Sequence, residues 1–174
     1  NKLALVGQET IDIDISLSGF DAAGEEESIL SIKPPPMHVN ALNNRAYNKP
    51  KTQMFTLSLY SEQYMSSAHS KVSKSYFDKT ISEIVSDIYL TYLDDRDVSE
   101  KKNNIRGLYV EPTERTERII IPNLNPIDAI LWLSKRAVPE EFFGVNYVFF
   151  ETINGSFFIS LDSLIADHPP LFKF

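Results

Sequence analysis

The segment Thr80-Ile81-Ser82-Glu83-Ile84-Val85-Ser86-Asp87-Ile88-Tyr89 opens on a hydroxyl and carries a carboxylate three residues later. This is a capping box: the Thr80 oxygen can take an orphan N–H of the first helical turn while Glu83 reaches back to the cap. Ile81, Ile84, Val85, Ile88 and Tyr89 then recur at helical spacing, which predicts a helix with one apolar face. Upstream the period is two. From Glu9 to Leu17 the residues Ile11, Ile13, Ile15 and Leu17 fall on one face and Asp12, Asp14 and Ser16 on the other, which predicts one unbroken strand. Ser28 to Lys33 reads as a second strand, ended by Pro34-Pro35-Pro36, whose rings remove donors and fix φ. Met37 to Lys51, rich in Asn, Arg and Lys, reads as an extended exposed connection, and Gln53 to Ser61 returns to strand alternation through Phe55, Leu57 and Leu59.

Downstream of the helix, Asp94 to Asn104 is polar and mixed in charge, a surface connection before short strands at Ile105 to Glu111 and Glu117 to Ile121. Asn125-Pro126 sets a side-chain cap before a proline suited to the first turn, predicting a helix over Pro126 to Ala137. Val145 to Ile153 and Ser156 to Leu161 flank Asn154-Gly155, a pair that suits a two-residue type I′ hairpin turn. The fold expected is α+β: a partial antiparallel β-barrel over residues 1–64, then a small mixed α/β domain over residues 65–174 with two helices and an aromatic hairpin.

Composition bounds the function without naming it. The 174 residues carry a formal charge of −7 and 43% hydrophobic content, enough chain to bury a sizeable core without staples. With no cysteine, disulfide scaffolds, thiolate zinc sites and cysteine nucleophiles are excluded. Nowhere do eighteen apolar residues run together. The chain begins at Asn1 without an initiator Met, which leads us to expect a section of a longer protein. Residues 1–33 hold two basic and seven acidic side chains, so five of the seven net negative charges lie in the first β-rich segment.

Residue types that carry chemistry are present but not arranged for it. His38 follows the proline run, His69 lies in a Ser-rich stretch and His168 precedes Pro169-Pro170; no pair has metal-ligand spacing. Asp12 and Asp14 share a strand face, and Asp94, Asp95 and Asp97 with Glu100 offer oxygens to calcium, but the loop lacks the glycine and distal Glu of an EF-hand. The six glycines form no nucleophile elbow, no phosphate loop and no dinucleotide fingerprint. Lys71, Lys74 and Lys79 beside Tyr76 and Phe77 could meet phosphate and stack a base, though such clusters are common by chance. No catalytic residue, cofactor site or metal site is assigned. The hairpin aromatics are more informative: Phe149/Phe150 and Phe157/Phe158 each send one ring to each face, so both faces are covered. Either the hairpin is sandwiched or one face meets another chain, and Phe149 and Phe157 are the candidate interface residues.

Several of these strings resemble the baseplate hub proteins of contractile-tailed, T4-like bacteriophages. They are Val72-Ser73-Lys74-Ser75-Tyr76 with Ile81-Ser82-Glu83-Ile84-Val85, then Ile121-Pro122-Asn123-Leu124-Asn125-Pro126, then Ala129-Ile130-Leu131-Trp132-Leu133-Ser134-Lys135-Arg136-Ala137. Phe149-Phe150-Glu151-Thr152 with Gly155, Phe158, Ser160 and Leu161 completes the series, so the likeness spans roughly Val72 to Leu164. Gly7-Gln8-Glu9 and the strand after it are similar to the family's first tube domain; the second tube domain is missing, and Pro34 to Pro50 departs from the family pattern. The resemblance implies a non-enzymatic structural protein, a homotrimer in its full-length form, joining tail tube to central spike while DNA passes through its lumen without specific binding. Similar hubs occur in type VI secretion and other contractile injection systems. It implies the virion tail baseplate as location, with assembly in the host cytoplasm, no cofactor and no stable membrane association. Asp12 and Asp14 would then line the lumen and repel phosphates. Two other readings stay open: a tail-borne cell-wall glycosidase, which needs two carboxylates across a cleft, and a peptide- or glycan-binding module built on the aromatic hairpin.

Overall fold

The computed structural model describes residues 9–20, 26–49, 52–94, 107–141 and 144–167. The chain is α+β, with several antiparallel pairings and four helices among the described residues. Contacts divide it into two units, Asn1–Met65 and Ser66–Phe174.

The first unit contains β1 (Thr10–Ile11), β2 (Ile15–Phe20), β3 (Glu26–Ile32), β4 (Met37–Lys49) and β5 (Thr52–Tyr60). The expected single strand over Glu9 to Leu17 is split. β1 pairs antiparallel with β4, Thr10 opposite His38, whereas β2 pairs with β3, Ile15 opposite Ile32. The chain changes ladder across residues 12–14, which belong to neither strand. The alternation survives the break, since Ile11 and Ile13 are half-buried while Asp12 and Asp14 are exposed. A larger departure is β4, which occupies the segment expected as a connection and pairs with β5 from His38↔Tyr60 to Lys49↔Thr52. Its register shifts three times, and Asn44, inside one shift, sits at φ 52°, a left-handed conformation that Asn tolerates. Residues 42–46 are all exposed, so neither face of this stretch had to be written in apolar residues. Among the described residues β1, β4 and β5 form an open three-stranded sheet and β2-β3 a two-stranded one; no closed barrel is found.

The second unit is built around α2 (Ile81–Tyr92). Its capping box is complete: Thr80 Oγ1 accepts from Glu83 N–H at 3.3 Å, and Thr80 N–H donates to Glu83 at 2.9 Å. Ile84, Val85 and Ile88 are fully buried in one cluster with Ile130 and Leu133 of α3 (Pro126–Ser134). The sheet residues Ile119, Ile121 and Phe158 complete the cluster. Helix α3 is three residues shorter than the spacing predicts, and its Asn125 does not cap it through a side-chain oxygen. Asn125 Nδ2 instead donates to Asp128, and the free Ile127 N–H is taken by Ser67 Oγ at 3.1 Å. Ser67 belongs to α1 (Glu62–His69), so a helix that had no sequence signature of its own supplies the missing cap.

Two sheets complete this unit. β6 (Ser75–Thr80) pairs antiparallel with β8 (Thr116–Ile120), placing Tyr76 opposite Ile119, both buried. β9 (Tyr147–Thr152) and β10 (Gly155–Ser160) form the aromatic hairpin, and β7 (Gly107–Val110) adds to β10 in parallel, giving the order β7-β10-β9. After the hairpin comes α4 (Leu161–Asp167). The turn is offset by one residue from the motif: Thr152 pairs with Gly155, so Ile153-Asn154 are the loop, and Asn154 is not at positive φ. Thr152 Oγ1 braces it, accepting from Asn154 N–H at 3.1 Å and donating to Gly155 O at 3.2 Å. Gly155 is used otherwise. At φ 142° it lies against Gly107, where an added Cβ would stand 2.5 Å from the Gly107 carbonyl oxygen.

Lys74, Tyr76 and Asp87 tie β6 to α2. Asp87 accepts from Lys74 Nζ at 2.6 Å and from Tyr76 Oη at 2.7 Å. Partial burial pushes the Asp87 carboxyl up, but these hydrogen bonds and the Lys74 and Lys79 charges outweigh it, holding the group below its ordinary value of 3.8. Burial and the same carboxylate push the Tyr76 phenol up.

Two outcomes follow from this geometry. Gly155→Val should lower stability to urea by about 2 kcal/mol or more, whereas Gly107→Ala, with open space around its Cβ position, should stay within about 0.5 kcal/mol; equal effects would mean the β7–β10 approach is misplaced. Because a depressed carboxylate stabilises above its unfolded pKa and loses that contribution as pH falls, Asp87→Asn should flatten the loss of stability as pH falls below the ordinary carboxylate value of 3.8. An unchanged acid limb in the melting curve would contradict the triad.

Candidate functional site

The β7-β10-β9 sheet has two chemically different faces, set by the period of two. Phe158 is fully buried with the Tyr147 ring 4.8 Å away, and Leu108, Val110 and Phe149 pack against the core on the same side. Hydroxyls on that side are engaged: Tyr89 and Ser156 share a hydrogen bond at 3.0 Å, and Glu111 accepts from both the N–H and the hydroxyl of Ser160. Tyr147 Oη donates to the Pro112 carbonyl at 2.8 Å, and burial, with Glu111 nearby, pushes its phenol up. The inner face is therefore structural.

On the outer face the register brings three rings into one row across three strands, Phe157 lying opposite Tyr109 on one side and Phe150 on the other. Tyr109 and Phe157 are stacked at 4.8 Å and 11°, and Phe157 and Phe150 at 5.2 Å and 9°. Beside the row runs a groove of about 380 Å³, walled further by Ile159 and by Ser163 and Leu164 of α4, with Thr152 and Asn154 at the turn end. Every residue lining it is uncharged.

The expected site residues fall as follows. Phe157 stands in the outer row, but Phe149 faces the core; its neighbour Phe150 is the ring that joins Phe157. Tyr109 has no local signal in the sequence, because it enters the row only through the long-range parallel pairing of β7. Asp12 and Asp14 are exposed, and Asp14 pairs with Lys33 at 3.0 Å. His38 pairs with Glu62, His69 is exposed, and His168 lies outside the described residues. Of the lysine cluster, Lys74 is committed to Asp87 and lies 5.0 Å over the Tyr76 ring. Asp95, Asp97 and Glu100 lie outside the described residues, among which no group of three His, Asp or Glu side chains could hold a metal ion. No helix among them is long and apolar enough to cross a membrane. No protein-family model matches the chain, and no curated protein matches it.

Proposed function

We propose that this chain is a non-enzymatic structural part of a contractile-tail baseplate hub. In this reading residues 1–64 form part of a tube-like β-barrel and residues 65–174 a small α/β domain. The full-length protein is a homotrimer that joins tail tube to spike and passes DNA through its lumen. It acts by shape and symmetric association in the virion baseplate.

The observation that carries the reading is the state of the first unit. Val39 is its one buried residue among those whose burial is described, while Ile15, Leu42, Met54 and Phe55 are each at least 40% exposed. A two-stranded ribbon is marginal by itself in water. Exposed apolar side chains are what neighbouring subunits cover in a closed ring. Exposed Asp12 and Asp14 suit a channel wall that repels phosphate, with Lys33 offsetting part of the Asp14 charge.

Mass in solution tests this. Light scattering on this chain and on the longer protein should show association that rises with concentration and reaches a trimer in the longer one. Leu42→Asp with Phe55→Asp should raise the dissociation constant about tenfold or more while leaving the melting of the second unit in place. A monomer at high concentration in both proteins would overturn the proposal.

A further inference from the structure

The tip of the β9-β10 hairpin holds a reactive pair that neither the packing of the second unit nor the assembly reading uses. Asn154 is the one asparagine in the sequence that a glycine follows. It is exposed, and its side-chain amide makes no hydrogen bond among the described residues; Thr152 Oγ1 holds it by the backbone N–H instead. Asn125 precedes a proline, which has no N–H, and Asn43, Asn123 and Asn146 precede residues whose Cβ crowds an approach that glycine leaves open.

An asparagine before glycine can cyclise. The Gly155 nitrogen gives its proton to hydroxide and attacks Asn154 Cγ; the Cγ–N bond of the side-chain amide breaks, ammonia leaves with a proton returned by water, and a succinimide ring remains. Water then adds to either ring carbonyl. Opening one C–N bond gives aspartate, and opening the other gives isoaspartate, whose main chain runs through Cγ and is longer by a methylene. One water is consumed and one ammonia released, with no oxidant or other co-reactant.

The fold governs how readily this happens, because attack requires the nitrogen and Cγ to meet in line. The peptide joining Asn154 to Gly155 must swing out of the turn, and a single hydroxyl brackets it. Thr152 Oγ1 accepts from the Asn154 N–H at 3.1 Å on one side and donates to the Gly155 carbonyl at 3.2 Å on the other. Beyond the turn, Gly155 lies so close to Gly107 that an added Cβ would stand 2.5 Å from the Gly107 carbonyl oxygen. A main chain lengthened just before Gly155 cannot keep that approach.

We infer that Asn154 is a self-modification site, converting in the folded protein to aspartate and isoaspartate at a rate that the Thr152 hydroxyl restrains. Thr152 is a positioning residue; the reacting atoms belong to Asn154 and Gly155. The product sets a carboxylate at the turn end of a groove whose lining is otherwise uncharged, and the isoaspartyl form loosens β7 from β10. The site lies wholly within the second unit and is independent of trimer formation.

The test is ageing of the whole chain in mildly alkaline buffer, followed by peptide mass mapping and by enzymatic methylation of isoaspartate. The peptide containing Asn154 should show amide-to-acid conversion and isoaspartate label before any other asparagine, and faster as pH rises. Thr152→Val should speed conversion about three- to tenfold, the worth of about one net hydrogen bond, while Thr152→Ser, which keeps the hydroxyl, should stay within about twofold of the original. In urea, where the turn is lost, Thr152→Val should make no difference. Asn154→Gln, which would have to close a larger ring, should stay unmodified. Hydrogen exchange in the aged protein should quicken in β7 and stay unchanged in α2. A folded chain unmodified at Asn154 while the chain in urea converts, or another asparagine reacting first, would overturn the inference. So would a rate indifferent to Thr152→Val, or Thr152→Ser converting as fast as Thr152→Val, the latter comparison holding even if Thr152→Val lowers the melting temperature.

Discussion

Ile84, Val85 and Ile88 of α2 are withdrawn completely from water into a cluster with Ile130, Leu133 and Phe158. Each such side chain contributes about 2 kcal/mol relative to exposure, and together they fix where everything else in the second unit can go. The stripe decides which face of β10 is inner, because Phe158 must reach it, and therefore which face carries Phe157. It also sets α3 against α2 and leaves the first turn of α3 to be capped by Ser67. The outer aromatic row is thus a consequence of the inner packing: once Phe158 is committed inward, a period of two leaves Phe157 and its cross-strand neighbours outside.

The two units solve the burial problem differently. In the second, helices and sheets close over a shared cluster, and buried hydroxyls find partners in Tyr89–Ser156 and in Glu111–Ser160. In the first, long paired strands satisfy backbone hydrogen bonds but leave Met54 and Phe55 in solvent. Backbone pairing alone contributes modestly, because the unfolded chain makes equivalent bonds with water. In the proposed hub, symmetric association is what would cover these exposed side chains.

Local signals were legible and long-range ones were not. The capping box of Thr80 and Glu83 involves only four residues, so its geometry is contained in the sequence. The proline at the start of α3 was equally readable, but the cap that Asn125 seemed to promise comes instead from a serine about sixty positions earlier. Strand β4 was invisible because both sides of residues 42–46 meet solvent and no apolar alternation marks them. The ladder change at residues 12–14 keeps the alternation intact, so a single strand and two strands read alike. Asn154-Gly155 has the strongest short-range hairpin signature, yet Gly155 serves the close approach of Gly107, a strand that joins from another part of the chain. Tyr109 enters the candidate site by the same pairing, whereas Phe150 and not Phe149 stands beside Phe157 because of the register within the hairpin itself.

The central claim is that the second unit closes its own core whereas the first relies on association. Residue-resolved hydrogen exchange on the whole chain, at a concentration low enough to keep it monomeric, tests this most directly. The account predicts slow exchange at the global unfolding level in α2, α3 and β10, with fast exchange through β4 and β5 that slows when concentration drives assembly. Protection of β4 and β5 in the monomer equal to that of α2 would contradict it.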